Sequence, residues 1–155
     1  MHRRDDVKRP VYESASDRKK ERSFAQKIEK VTGSFLKKTP PFYHVDFMGL
    51  EKIRSGAKLK FFVEVKHRKI DHNKYDTYML SLKKWINMNL IRRYGGLPVF
   101  LAIRYLDLDL CLPVTDEVFP ISYMGRLDRG DESDMEPCIM VPIPRLMPME
   151  RMRDG

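Results

Sequence analysis

The chain has 155 residues, the size of one domain able to close a core of its own. It holds no run of about 18 apolar residues, and no apolar stretch follows the charged opening Met1-His2-Arg3-Arg4, which argues against a helical membrane span or a secretory leader. Its two cysteines, Cys111 and Cys138, have no zinc-ligand spacing and no disulfide framework around them, so a soluble protein of a reducing cytoplasm is expected.

The net charge of +8 divides unevenly. Residues 1–39 carry 12 basic and 6 acidic side chains, residues 51–94 carry 12 and 4, and residues 95–155 carry 6 and 11. A basic surface acts through its local field, and a polyanion such as DNA is the natural partner of the first 94 residues. Solvated lysines with no nucleic-acid role would give the same tally.

Residues 1–15 lack apolar periodicity and read as a mobile basic arm. From Ser16 and Asp17 the residues Phe24, Ala25, Ile28 and Val31 fall at helical spacing, with Gly33 as the stop, and predict a first helix. After Pro40-Pro41, the segment Phe42 to Met48 is rich in aromatic and β-branched residues and reads as a strand closed by Gly49. Glu51 to Lys58 reads as a turn, and Leu59 to Lys66 as a second strand. Between Tyr75 and Tyr94 the apolar residues Tyr78, Leu82, Trp85, Met88 and Ile91 recur at helical spacing, and Gly95-Gly96 ends this second helix. Pro98 to Tyr105 is a near-continuous apolar run, the mark of a strand covered on both faces and fed by a crossover helix. A further strand at Leu108–Val114, a hairpin around the polar loop 126–134, and an irregular Met/Pro-rich tail complete the chain. The division expected is an arm over 1–15, a core over 16–114 and a hairpin with tail over 115–155. The fold class is α/β, a central mixed sheet flanked by helices.

The strand Leu59–Lys66 carries the chemistry. Alternation puts Phe61, Val63 and Val65 on one face, and Phe62, Glu64 and Lys66 on the other. A carboxylate and an ammonium inside an apolar strand cost several kcal/mol each unless compensated, and such local rule-breaking marks function. Asp46 repeats the anomaly one strand earlier, and consecutive strands are usually neighbours. Two carboxylates that meet need a shared proton or a cation, and hard oxygen donors suit Mg²⁺ or Mn²⁺. Glu21 extends the buried stripe of the first helix toward the same place. The bland alternative is an exposed edge strand with a Glu64–Lys66 ion pair.

An acidic residue on a first helix, Asp in one strand and Glu-x-Lys in the next, within residues 17–105, resembles the PD-(D/E)xK nuclease superfamily, whose members share a restriction-endonuclease-like core. The layout is similar to small Holliday-junction-resolvase-like or phage-type endonucleases. Val45, and not proline, precedes Asp46. The resemblance implies a DNA nuclease, endonucleolytic and structure-selective, working in a bacterial or phage-infected cell. It implies a metal held by Asp46, Glu64 and the Val65 carbonyl, Lys66 acting on the attacking water, and Glu21 completing the shell. Lys60, His67, Arg68, Lys69, Lys83 and Lys84 are the candidate DNA contacts, with Lys84 or Lys83 alternatively reaching a metal-bound water; the plainer alternatives are a solvated helical face for the two lysines and a solvated loop position for His67. A branch-cutting enzyme usually acts as a symmetric dimer, so a homodimer stays open. The alternatives are a catalytically inactive DNA-binding protein of the same fold, and a basic assembly module.

Overall fold

Phe24, Ala25 and Ile28 share one face of an 18-residue helix, α1 (Ala15–Thr32), and that face is buried. The computed structural model describes residues 15–125 and 135–154. The arm expected over residues 1–15 lies outside them apart from Ala15, as does the polar loop 126–134. Gly33 ends α1 in a left-handed conformation (φ 71°), its N–H bonded back to the Glu29 carbonyl at 2.9 Å.

Next come β1 (Phe35–Lys38), β2 (Phe47–Ile53) and β3 (Gly56–His67), paired antiparallel in sequence order, with Arg54-Ser55 turning the β2–β3 hairpin. Strand β4 (Thr77–Ser81) leads into helix α2 (Leu82–Gly95). After it β5 (Val99–Arg104) lies parallel to β3, and β6 (Asp109–Pro113) antiparallel to β5. Strands β7 (Ile121–Gly125) and β8 (Met135–Pro142) form the expected hairpin, and β9 (Met147–Pro148) caps the edge at β6. The main sheet has the order β1-β2-β3-β5-β6-β9, and a smaller sheet has the order β4-β8-β7. The result is a mixed α/β architecture whose central, doubly covered strands are β3 and β5.

Three expectations change. Phe42–Asp46 is turn and bend, and the strand starts at Phe47 and runs through Gly49 to Ile53. Phe42 is 92 % exposed and Tyr43 52 %, so the aromatic residues that suggested a strand are not packed in one. The helix expected from Tyr75 begins only after Ser81: Tyr78 and Leu80 alternate inward as strand residues opposite Val141 and Ile139. Ser81 caps α2 through its hydroxyl, which accepts from the Lys84 N–H at 3.5 Å, and Gly96 (φ 66°) closes the other end. The tail is ordered structure: Met149 and Met152, in a 3-10 helix over Met149–Asp154, are buried in the layer under α1.

The sheet separates two apolar layers. On one side Phe61, Val63 and Val65 of β3 pack with Phe24, Ala25 and Ile28 of α1. On the other Phe62 joins Leu80, Trp85, Met88, Leu101 and Ile139 between the sheet, α2 and the small sheet. Gly49 sits opposite Phe61 at a β-bulge, where an added Cβ would lie 2.3 Å from the Phe61 ring. That ring stands edge-on to Phe100 with centroids 5.9 Å apart and has little room to yield. Gly49→Ala is therefore expected to cost about 1–3 kcal/mol. Thermal melting should register it as a loss of several °C, and an unchanged melting temperature would show that the ring moves freely.

Candidate active site

Glu64 stands three residues before the carboxyl end of β3 and is 1 % exposed, the one buried charged residue among those described. Alternation within β3 turns it away from α1, onto the α2 side with Phe62 and Lys66. Asp46 lies at the bend just before β2, and β2 pairs with β3 so that Phe47 faces Val63. The Asp46 Oδ2 accepts the Val65 N–H at 2.9 Å, which anchors the bend to the strand and aims the carboxyl at Glu64. The Asp46 carboxyl stands close enough to Glu64 to raise its pKa.

Lys84 completes the cluster from the first turn of α2. Its Nζ is 2.5 Å from Glu64 Oε2 and 3.0 Å from the His44 carbonyl oxygen. A crossover helix that returns the chain to a parallel strand starts near the carboxyl end of the strand it left, which brings the first turn of α2 to Glu64. Burial first, and then the neighbouring Asp46, push the Glu64 carboxyl up to about 8, while Lys66 and Lys84 pull it down by less. Glu64 therefore keeps its proton near neutrality. The cluster is one buried acid, one half-buried acid and two ammonium groups.

Of the site residues expected from sequence, the fold brings together Asp46, Glu64 and Lys66, with the Val65 backbone between them. Glu21 is not brought in. It lies on α1, across the sheet from Glu64, with Oε1 3.0 Å from the Lys38 Nζ of β1. The stripe that was to carry it to the site is real, but it packs against the Val63–Val65 face of β3, the side opposite Glu64. Among the described residues no three His, Cys, Asp or Glu stand close enough to hold a metal ion by themselves.

The expected DNA contacts divide in the same way. Lys84 belongs to the buried cluster; Lys83 beside it is exposed. Lys69 is exposed past the carboxyl end of β3; His67 is the last residue of that strand and faces α1, its ring edge-on to Phe24 with centroids 5.4 Å apart, and partial burial with the nearby Arg104 holds its imidazole below the ordinary value. Arg68 is committed to packing: its guanidinium lies 4.8 Å from the centre of the Tyr78 ring and donates to the Met79 carbonyl at 3.3 Å. Lys60 is exposed and 3.7 Å from Glu51. The direct Lys84–Glu64 contact is not legible in the sequence, because it depends on α2 starting just after Ser81.

A mixed sheet with α1 on one face and α2 on the other, and Glu-x-Lys on its central strand, defines the restriction-endonuclease-like fold of the PD-(D/E)xK nucleases. A family model described as "Phage putative PDDEXK endonuclease" matches residues 7–149, and the chain belongs to that family. Among solved structures it is similar to Hjc of Archaeoglobus fulgidus, described as a Holliday junction resolvase from an archaeal hyperthermophile. The TM-score is 0.58 at 13 % identity, over 91 % of this chain and 98 % of that one. No curated protein matches the chain. No helix among the described residues is long and apolar enough to cross a membrane.

Proposed function

We propose that this nuclease cuts DNA endonucleolytically with Mg²⁺ or Mn²⁺ and prefers branched DNA. The buried Glu64 beside Asp46 carries the reading. A carboxyl that burial and a like-charged neighbour force to keep its proton is a place where a divalent cation replaces that proton at a gain. The donors suit such a cation: two carboxylates and the Val65 carbonyl are hard oxygen ligands, and Mg²⁺ is commonly bound through one or two carboxylates plus substrate phosphate. The metal, when bound, would polarise the scissile phosphate and lower the pKa of water.

The chain's own groups do the rest. Asp46 is fixed by the Val65 N–H, so its free oxygen has a set direction. Lys84 holds Glu64 in place from α2. Lys66, one pleat along from Glu64 on the same face, is the group to orient the attacking water or offset charge on the phosphorane-like transition state. Lys69 and Lys83 serve as phosphate contacts near the site, while Lys60 and Arg68 take supporting parts and His67, packed against Phe24 on the α1 face, stands on the far side of the sheet. Glu21 acts outside the metal shell, as the partner of Lys38. A branched substrate with two-fold symmetry calls for a second copy of the chain, and the setting is a phage-infected bacterial cell.

Incubation of a four-way junction, a linear duplex and a single strand with Mg²⁺, Mn²⁺ or chelator tests the proposal. Strand breaks with either metal, none with chelator, and faster cutting of the junction are expected. Binding of all three DNAs with no breaks under any condition would make the chain a DNA-binding relative without catalysis.

A further inference from the structure

Beside the carboxyl ends of β3 and β5 a cavity of about 410 Å³ opens between the main and small sheets, lined by Arg68, Tyr75, Tyr78, Met79, Tyr105 and Met140 among others. Its wall is a set of flat or polarisable surfaces, three phenol rings, a guanidinium plane and methionines. Such surfaces stack on aromatic systems whatever their sequence. Tyr75 stands at the rim, 60 % exposed, with the Lys74 ammonium 5.6 Å from the centre of its ring.

Tyr78 is 3 % exposed, and its hydroxyl has no acceptor for its proton among the described residues. The guanidinium of Arg68 beside it is a donor only and offers no acceptor for the phenolic proton. Burial pushes the Tyr78 phenol up to about 12, so the proton stays on the oxygen. A buried donor without an acceptor is costly, and a ligand atom that accepts would relieve it.

The cavity is preformed and adjoins the acidic site. The loop that carries Tyr75 is tied to the β5–β6 turn by Leu106 N–H to the Ile70 carbonyl at 3.0 Å and His72 N–H to Asp107 Oδ1 at 2.9 Å. Its far end is held by the Ile143 N–H on the Asp76 carbonyl at 2.9 Å. Glu64 lies near enough to act electrostatically on Tyr78.

We propose that this cavity receives one unstacked nucleobase of the bound DNA, so that the enzyme selects substrates with an unpaired base next to the scissile phosphate. The inference rests on the nuclease reading above and names what that site recognises. A nucleobase answers the cavity: a π face for the exposed Tyr75 ring at the rim, an edge whose carbonyl or ring nitrogen accepts from Tyr78, and a phosphate for Lys74 at the mouth. Extruding a base from a duplex costs pairing and stacking energy, least where it is already unpaired, and the pocket therefore discriminates against intact duplex. Every base has an accepting edge and a π face, so the preference is for unpaired geometry over sequence.

Fluorescence anisotropy of the full chain without metal tests this, with a duplex carrying a one-nucleotide bulge against the same bulge made abasic. The two DNAs share backbone distortion and differ in the base. The wild type is expected to bind the base-containing bulge about tenfold more tightly. Tyr75→Ala and Tyr78→Phe should bring that ratio close to one. Tyr78→Phe deletes only an unsatisfied hydroxyl, so an unchanged or raised melting temperature certifies that its loss of selectivity is not loss of fold. Equal affinity of the wild type for the two bulges, or a ratio untouched by both variants, overturns the pocket. Cutting of bulged and intact duplex at equal rates with Mg²⁺ overturns it too and leaves the nuclease standing. A base-dependent preference in a protein that cuts nothing supports the pocket and removes the nuclease.

Discussion

Glu64→Gln is expected to lower single-turnover DNA cleavage by about 10³-fold or more while leaving DNA affinity within a few-fold of wild type. Glutamine keeps the shape of the side chain and one carbonyl oxygen but cannot supply the negative charge that a divalent cation needs, and its amide has no proton for the cation to displace. The substitution is also mild for the fold, since the carboxyl it replaces is itself protonated near neutral pH and buried at 1 % exposure. Lys66→Ala should lose activity on a similar scale through the transition state, with the metal still bound. Isothermal titration with Mn²⁺ separates the two: Glu64→Gln loses the binding heat, and Lys66→Ala keeps it. Cleavage by both variants at the wild-type rate would remove the Asp46–Glu64–Lys66 cluster as the seat of the chemistry.

The strength of that expectation comes from the part of the site that could be read directly from residues. A period-two strand with Glu64 and Lys66 among Phe61, Phe62, Val63 and Val65 has only one way to face, and the two apolar layers follow it. The continuous run at Val99–Arg104 likewise had to be covered on both sides, and it lies parallel beside β3. What stayed hidden depended on distant partners. Tyr78, Leu82 and Trp85 fall at helical spacing, yet Thr77–Ser81 is a strand because Pro142 back to Cys138, from the far end of the chain, pairs with it. The residues around Asp46 have a strand's composition, yet Asp46 sits at a bend, where its oxygen is fixed by a backbone N–H that no pattern displays. Glu21 shows the limit of a helical stripe as evidence: the stripe states that a face is buried, and which side of the sheet buries it depends on the order β1-β2-β3-β5, with Lys38 of the short β1 as the partner that decides.

The metal-free protein is expected to lose stability as pH rises from about 5 to about 9. A carboxyl that holds its proton more tightly when folded than when unfolded contributes stability in full below its unfolded value, 4.5, and loses it as pH climbs through its folded value, about 8. Over that interval the unfolded chain has already released the proton that the folded one still retains, and each further step in pH favours unfolding. His67, held below its ordinary value by burial and Arg104, works with the opposite slope below about 6.5, and the lowered Asp109 matters only at acid pH. The difference between wild type and Glu64→Gln cancels both. Glu64→Gln should match the wild type near pH 5 and melt about 5 °C or more above it near pH 9. Lys84→Met enlarges the effect: without the ammonium at 2.5 Å the Glu64 anion has lost its nearest compensating charge, so its proton is held still more tightly and the alkaline loss grows. Saturating Mn²⁺ should reverse the trend in the wild type and not in Glu64→Gln, because the cation takes the place of the proton and its affinity rises with pH. Parallel melting curves for wild type and Glu64→Gln across the whole range would mean that Glu64 titrates as an ordinary solvated acid, and the electrostatic basis of the site would fall with it.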